Sequence, residues 1–119
     1  MADKEKPELT AKERNLTVED LAAQGRIVEE MTARIKKNAD DARAYHERGG
    51  AFLILKQYEA AIVDYNKVIQ LDPDEPAAYN NRANVYGHLE QYESAIADFN
   101  KAIEIDPNNA NPYNNRGNA

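Results

Sequence analysis

Apolar residues return at helical spacing in two successive stripes through the middle of the chain. Tyr45, Gly49, Phe52 and Leu55 form the first, and Ala61, Ile62, Tyr65, Val68 and Ile69 form the second. The spacing predicts two helices joined by a turn at "KQY". The second stripe ends at Asp72-Pro73, because proline disfavours helical geometry in the residue before it. The arrangement is then written again: "QYEAAIVDYNKVIQLDPDEP" becomes "QYESAIADFNKAIEIDPNNA", with its turn at "EQY" and its stop at Asp106-Pro107. Tyr45, Tyr79 and Tyr113 fall in register every 34 residues, and the agreement runs through the whole interval between them. Gly49, Ala61, Ala83 and Ala95 are small enough for paired helices to approach closely, with aromatic residues filling the space beside them. The pattern predicts an all-α chain, an α-solenoid of antiparallel helix pairs, and no segment alternates like a strand.

Over residues 42–109 this pattern resembles the tetratricopeptide repeat family, whose signature is Trp, then Leu-Gly, an aromatic, and later Ala, Phe and Pro at fixed offsets. Here the letters are Tyr79, Arg82-Ala83, Tyr86, Ala95, Phe99 and Pro107, preceded by Tyr45, Arg48-Gly49, Phe52, Ala61, Tyr65 and Pro73. On that register 42–75 and 76–109 are two full repeats, and 110–119 is the truncated first helix of a third. Two positions depart from the signature. Tyrosine stands where tryptophan is usual, and arginine replaces leucine in all three copies, as Arg48, Arg82 and Arg116. A buried arginine needs a partner. Asp64 and Asp98, on the facing helix of each complete repeat, are placed to supply it.

Residues 1–16 balance acids against bases and are expected to stay mobile. Thr17 and Asp20 then stand in a capping-box-like arrangement, and Leu21, Ile27, Val28, Met31 and Ile35 form a stripe that ends at "KKNADD". A helix is predicted from about 17 to 37, with Gly25 leaving open a division into two shorter ones. Shifting the register back by one repeat sets Ile27 and Met31 on Ala61 and Tyr65. Residues 17–38 therefore read as an N-terminal capping helix or the second helix of a degenerate repeat. Such a helix is needed, because a single repeat cannot bury its own faces.

Composition narrows the function. A chain of 119 residues with 42% hydrophobic content is one domain with a modest core. A net charge of −6 and a pI of about 4.9 disfavour the steering of a phosphate backbone, so no nucleic-acid partner is expected. Cysteine is absent, which excludes a disulfide framework, a thiolate nucleophile and a cysteine-based zinc site. The charged N-terminus has neither a secretion signal nor a membrane anchor, so a cytoplasmic protein with no membrane partner is expected. Ser94 is the only serine, and His46 and His88 are the only histidines, far apart and without a third ligand. Neither a triad nor a metal box can be assembled from them, so no catalysis and no cofactor are expected.

The family resemblance implies that the first helix of each repeat lines the concave face of a superhelix, where extended peptides or helices bind. Counting from Ala42, Pro76 and Ala110, the groove positions hold Arg43, His46, Glu47, Gly50 and Ile54, then Ala77, Asn80, Asn81, Asn84 and His88, then Asn111, Asn114, Asn115 and Asn118. The candidate peptide-binding residues are Arg43, His46, Glu47, Asn80, Asn81, Asn84, His88, Asn114, Asn115 and Asn118. An asparagine amide matches the donor and acceptor of a peptide unit, so it reads backbone without demanding a side chain. Asn81 and Asn115 occupy positions similar to the asparagine ladder of long superhelical members, including the repeat region of O-linked glycosyltransferases; Glu47 stands there in the first repeat. The co-chaperone branch grips a C-terminal carboxylate with two lysines, an arginine and two asparagines. Only Asn81 of that set is matched, since His46, Gly50, Asn111 and Asn115 fill the other places. The expected function is a non-catalytic protein-interaction module binding a weakly charged peptide. A self-assembling scaffold, forming a homo-oligomer through the C-terminal end of the stack, and the substrate-binding arm of a longer enzyme are the alternatives.

Overall fold

The computed structural model describes residues 16–108. These form five helices and no strand: α1 (Val18–Lys37), α2 (Ala42–Ile54), α3 (Tyr58–Leu71), α4 (Pro76–His88) and α5 (Tyr92–Ile105). Each helix packs on the next, so α1, α3 and α5 form one row and α2 and α4 the other, with α2 and α4 touching only sparingly. This is an all-α helical-repeat solenoid.

Local chemistry sets the helix ends. Thr17 Oγ1 accepts from the Asp20 amide while Asp20 Oδ2 accepts from the Thr17 amide, each at 3.0 Å, which satisfies two donors left free at the start of α1. The helix then passes through Gly25 without a break. Arg34 near its end bonds Asp41, whose Oδ1 also accepts from the Ala44 amide at the start of α2. Asp41 thus ties one helix end to the next beginning. The turns inside the two repeats are copies: the Gln57 amide donates to Phe52 O at 2.8 Å and that of Gln91 to Tyr86 O at 2.9 Å. Both turns need a left-handed residue, and Lys56 (φ 63°) and Glu90 (φ 60°) take that role where glycine is the usual choice.

Small residues hold the helix pairs together. Ala61, Tyr65 and Val85 are buried as one cluster, and Ala83, Ala95 and Phe99 as another. Gly49 lies against Tyr65, and a Cβ there would stand 3.1 Å from Tyr65 Cζ. The second repeat pairs Ala83 with Phe99, a methyl more on one side and a hydroxyl fewer on the other. The hydroxyls of Tyr45 and Tyr79 donate to Ala39 O at 2.9 Å and Pro73 O at 3.0 Å, which anchors the loop before each first helix.

The two arginines have carboxylate partners. Arg48 makes two 2.8 Å bonds to Asp64, and Arg82 bonds Asp98 at 2.7 and 2.8 Å. Each guanidinium also reaches back to the preceding helix, Arg48 to Thr32 Oγ1 at 3.0 Å and Arg82 to Asn66 Oδ1 at 2.7 Å. Each further lies between two rings, 5.7 Å from the centroids of Tyr45 and Phe52 or of Tyr79 and Tyr86. One arginine therefore clasps three successive helices in each repeat. Its hydrogen bonds to the aspartate hold both guanidiniums above their ordinary pKa, against the opposing pull of burial.

Candidate functional site

With their small and aromatic positions turned inward, α2 and α4 present their remaining faces side by side. An open recess of about 380 Å³ lies between them, lined by Ala42, Arg43, His46 and Glu47 of α2, Val68 and Asp72 at the end of α3, and Glu75 and Ala77 at the start of α4. Val68 is buried beneath it. Arg43 Nε bonds Glu47 Oε2 at 3.0 Å across one helical turn, and the Arg43 side chain is 81% exposed. Glu75 caps α4 through a 3.3 Å bond from the Ala77 amide. Asp72 ends α3, with its backbone amide bonded to Val68 O.

His46 joins this recess to the neighbouring face of α4. Its ring stands edge-on to Tyr65, with centroids 5.6 Å apart and planes at 81°, and its Nε2 lies 3.2 Å from Asn81 Nδ2. With Nε2 as acceptor, the asparagine keeps Oδ1 and one N–H for another group. The Tyr65 ring below is buried, and that burial, with the Asp64 charge as a second cause, pushes its hydroxyl up to about 12.

Of the residues expected from sequence to bind peptide, Arg43, His46 and Glu47 line the recess, and Asn81 borders it through His46. Asn80 and Asn84 are half-buried on α4. His88 lies at the other end of that helix, stacked on Tyr58 at 5.1 Å with a 6° interplanar angle. Asn114, Asn115 and Asn118 lie outside the described residues, as does the C-terminal end expected to join copies. Sequence reasoning did not select Val68, Asp72 and Glu75. In "LDPDEP" the sequence marks only the stop at Asp72-Pro73, whereas Glu75, which caps α4, also lines the recess.

Among the described residues, no group of three or more histidines, aspartates or glutamates is placed to hold a metal, and no helix is long and apolar enough to cross a membrane.

Family models named Tetratricopeptide repeat and TPR repeat match residues 76–109 and 49–89. No curated protein matches the chain. Among solved structures, the TPR domain of Arabidopsis OM64 is 30% identical, with a TM-score of 0.74, over 77% of this chain and 76% of that one. The second TPR domain of human RPAP3, solved in complex with the HSP70 peptide SGPTIEEVD, is 25% identical with a TM-score of 0.73, over 76% of each chain. YrrB, described as a TPR protein with an unusual peptide-binding site, shares the fold at 21% identity and a TM-score of 0.77, over 82% of this chain and 50% of its own. Stacked helix pairs at this register, two matched repeat models and a likeness to the OM64 domain spanning most of both chains place the protein in the tetratricopeptide repeat family.

Proposed function

We propose that this chain is a non-catalytic interaction module that holds an extended peptide along the concave face of α2 and α4. The observation that carries the reading is the Asn81 amide. It is oriented by His46 across the helix boundary, beside an open recess, with an acceptor and a donor left for a peptide unit. The structural likeness to a repeat domain bound to an HSP70 peptide supports the same use of the fold. That peptide carries two glutamates and an aspartate near its end, whereas this recess has three carboxylates and one arginine, so a different sequence class is expected here.

A display panel of extended octapeptides, followed by titration of the binders, tests the reading. Asn81→Ala should weaken the bound peptides roughly five- to tenfold, the loss of about 1 kcal/mol expected for each backbone hydrogen bond. Its unfolding free energy should stay within about 1 kcal/mol of the parent, since only one side-chain contact within the fold is given up. Unchanged affinity in the variant would overturn a peptide site at this place.

A further inference from the structure

We infer that the recess between α2 and α4 receives a cationic side chain, lysine or arginine, of the peptide lying along this face. This rests on the peptide-binding reading above and adds the charge of the ligand. Arg43 and Glu47 largely cancel each other through their 3.0 Å ion pair, leaving Asp72 and Glu75 as the charges the recess offers to an occupant. Glu75 spends one oxygen on the Ala77 amide and keeps the other. Asp72 makes no side-chain hydrogen bond among the described residues. The remaining walls are apolar or flat: Val68, Ala42, Ala77 and the His46 ring.

A long basic side chain suits this division. Its methylene stem lies on apolar wall while its charged end meets carboxylates, the way such side chains partition at protein surfaces. A volume of about 380 Å³ falls at the small end of ligand sites, enough for one or two side chains and not for a helix. The neighbouring Asn81 amide then reads the adjoining peptide unit, so one basic residue sets the register of an otherwise sequence-tolerant grip. An acidic tail meets the opposite situation. Its carboxylates would face Asp72 and Glu75 with only the engaged Arg43 to receive them.

Three degenerate octapeptide libraries, identical except for a central lysine, norleucine or glutamate, test the inference by fluorescence anisotropy with the full chain. Lysine should bind roughly five- to tenfold tighter than norleucine at low salt, and the preference should shrink as salt rises. Asp72→Asn and Glu75→Gln keep the shape of both side chains and the acceptor that caps α4. Combined, they should erase the preference for lysine over norleucine. Equal affinity for lysine and norleucine, with binding still sensitive to Asn81→Ala, overturns the charge inference and leaves the peptide site standing. Tighter binding of glutamate overturns it as well. No binding of any library, or binding indifferent to Asn81→Ala, overturns the peptide site itself.

Discussion

The Arg48–Asp64 pair makes a quantitative prediction from its asymmetry. Asp64 is 2% exposed at its side chain, and among the described residues both of its hydrogen bonds come from Arg48. Replacing Arg48 with leucine, the residue usual at this place in the repeat signature, strands that carboxylate and should cost about 3–5 kcal/mol. Asp64→Ala leaves its partner better provided. Arg48 keeps Thr32 and the rings of Tyr45 and Phe52, and 19% of its side chain reaches water. That loss should be smaller, about 2 kcal/mol. The double variant removes both charges and lets leucine fill part of the space, so it should fall within about 2 kcal/mol of the parent, a coupling of roughly 4 kcal/mol. Urea unfolding followed by far-ultraviolet circular dichroism gives all four free energies, with sucrose added equally to keep the weakest variant folded. A coupling below about 1 kcal/mol, or Asp64→Ala costing more than Arg48→Leu, would refute the account of why arginine stands here.

Two further perturbations probe the same contact region. Tyr65 has its hydroxyl raised from 10.0 to about 12, so the unfolded chain releases that proton first and stability falls as pH climbs from about 10 to about 12. The share from this group is roughly 2–3 kcal/mol and should vanish in Tyr65→Phe; urea midpoints that fall equally in both proteins over that window count against it. Gly49→Ala sets a Cβ 3.1 Å from Tyr65 Cζ and 3.3 Å from Asp64 Cβ. Crowding of about 1–3 kcal/mol should outweigh the helix-propensity gain of up to about 1 kcal/mol. A more stable Gly49→Ala protein would show that the helices have room to part.

The repeat was legible because it is written in residues that act locally or at one fixed offset. Proline stops, small positions, the Thr17 cap and the arginine–aspartate partners all follow from one register. What escaped depends on neighbours that register does not name. Thr32 and Asn66 complete the arginine clasps from the preceding helix, one a hydroxyl and the other an amide, so no shared letter announces the role. The left-handed turns escaped because Lys56 and Glu90 stand where glycine would have marked them. At the site, position along α2 placed Arg43, His46 and Glu47 on the recess, but its acidic wall comes from the loop between repeats. The approach of His46 to Asn81 joins residues 35 positions apart in adjacent repeats, and periodicity alone cannot give that distance.

Thr32 and Asn66 also explain how the first helix belongs to the stack. They are separated by one repeat length, and each receives the Nη1 of the arginine that follows it by sixteen residues. α1 thus meets Arg48 as α3 meets Arg82, although its sequence keeps little of the repeat. What it needed to keep was an acceptor at one position and apolar residues such as Met31 against the next helix. The clasps run through the interior, from α1 to α5, and engage inward positions of α2 and α4. The outward positions of those two helices take no part in the clasps. Hence Asn81 carries little of the fold and Glu75 carries only a cap on α4, while Arg48, Asp64 and Gly49 sit where the helices are clasped together. Substitutions in the two sets should separate affinity from stability, as expected of sites grafted onto a shared scaffold.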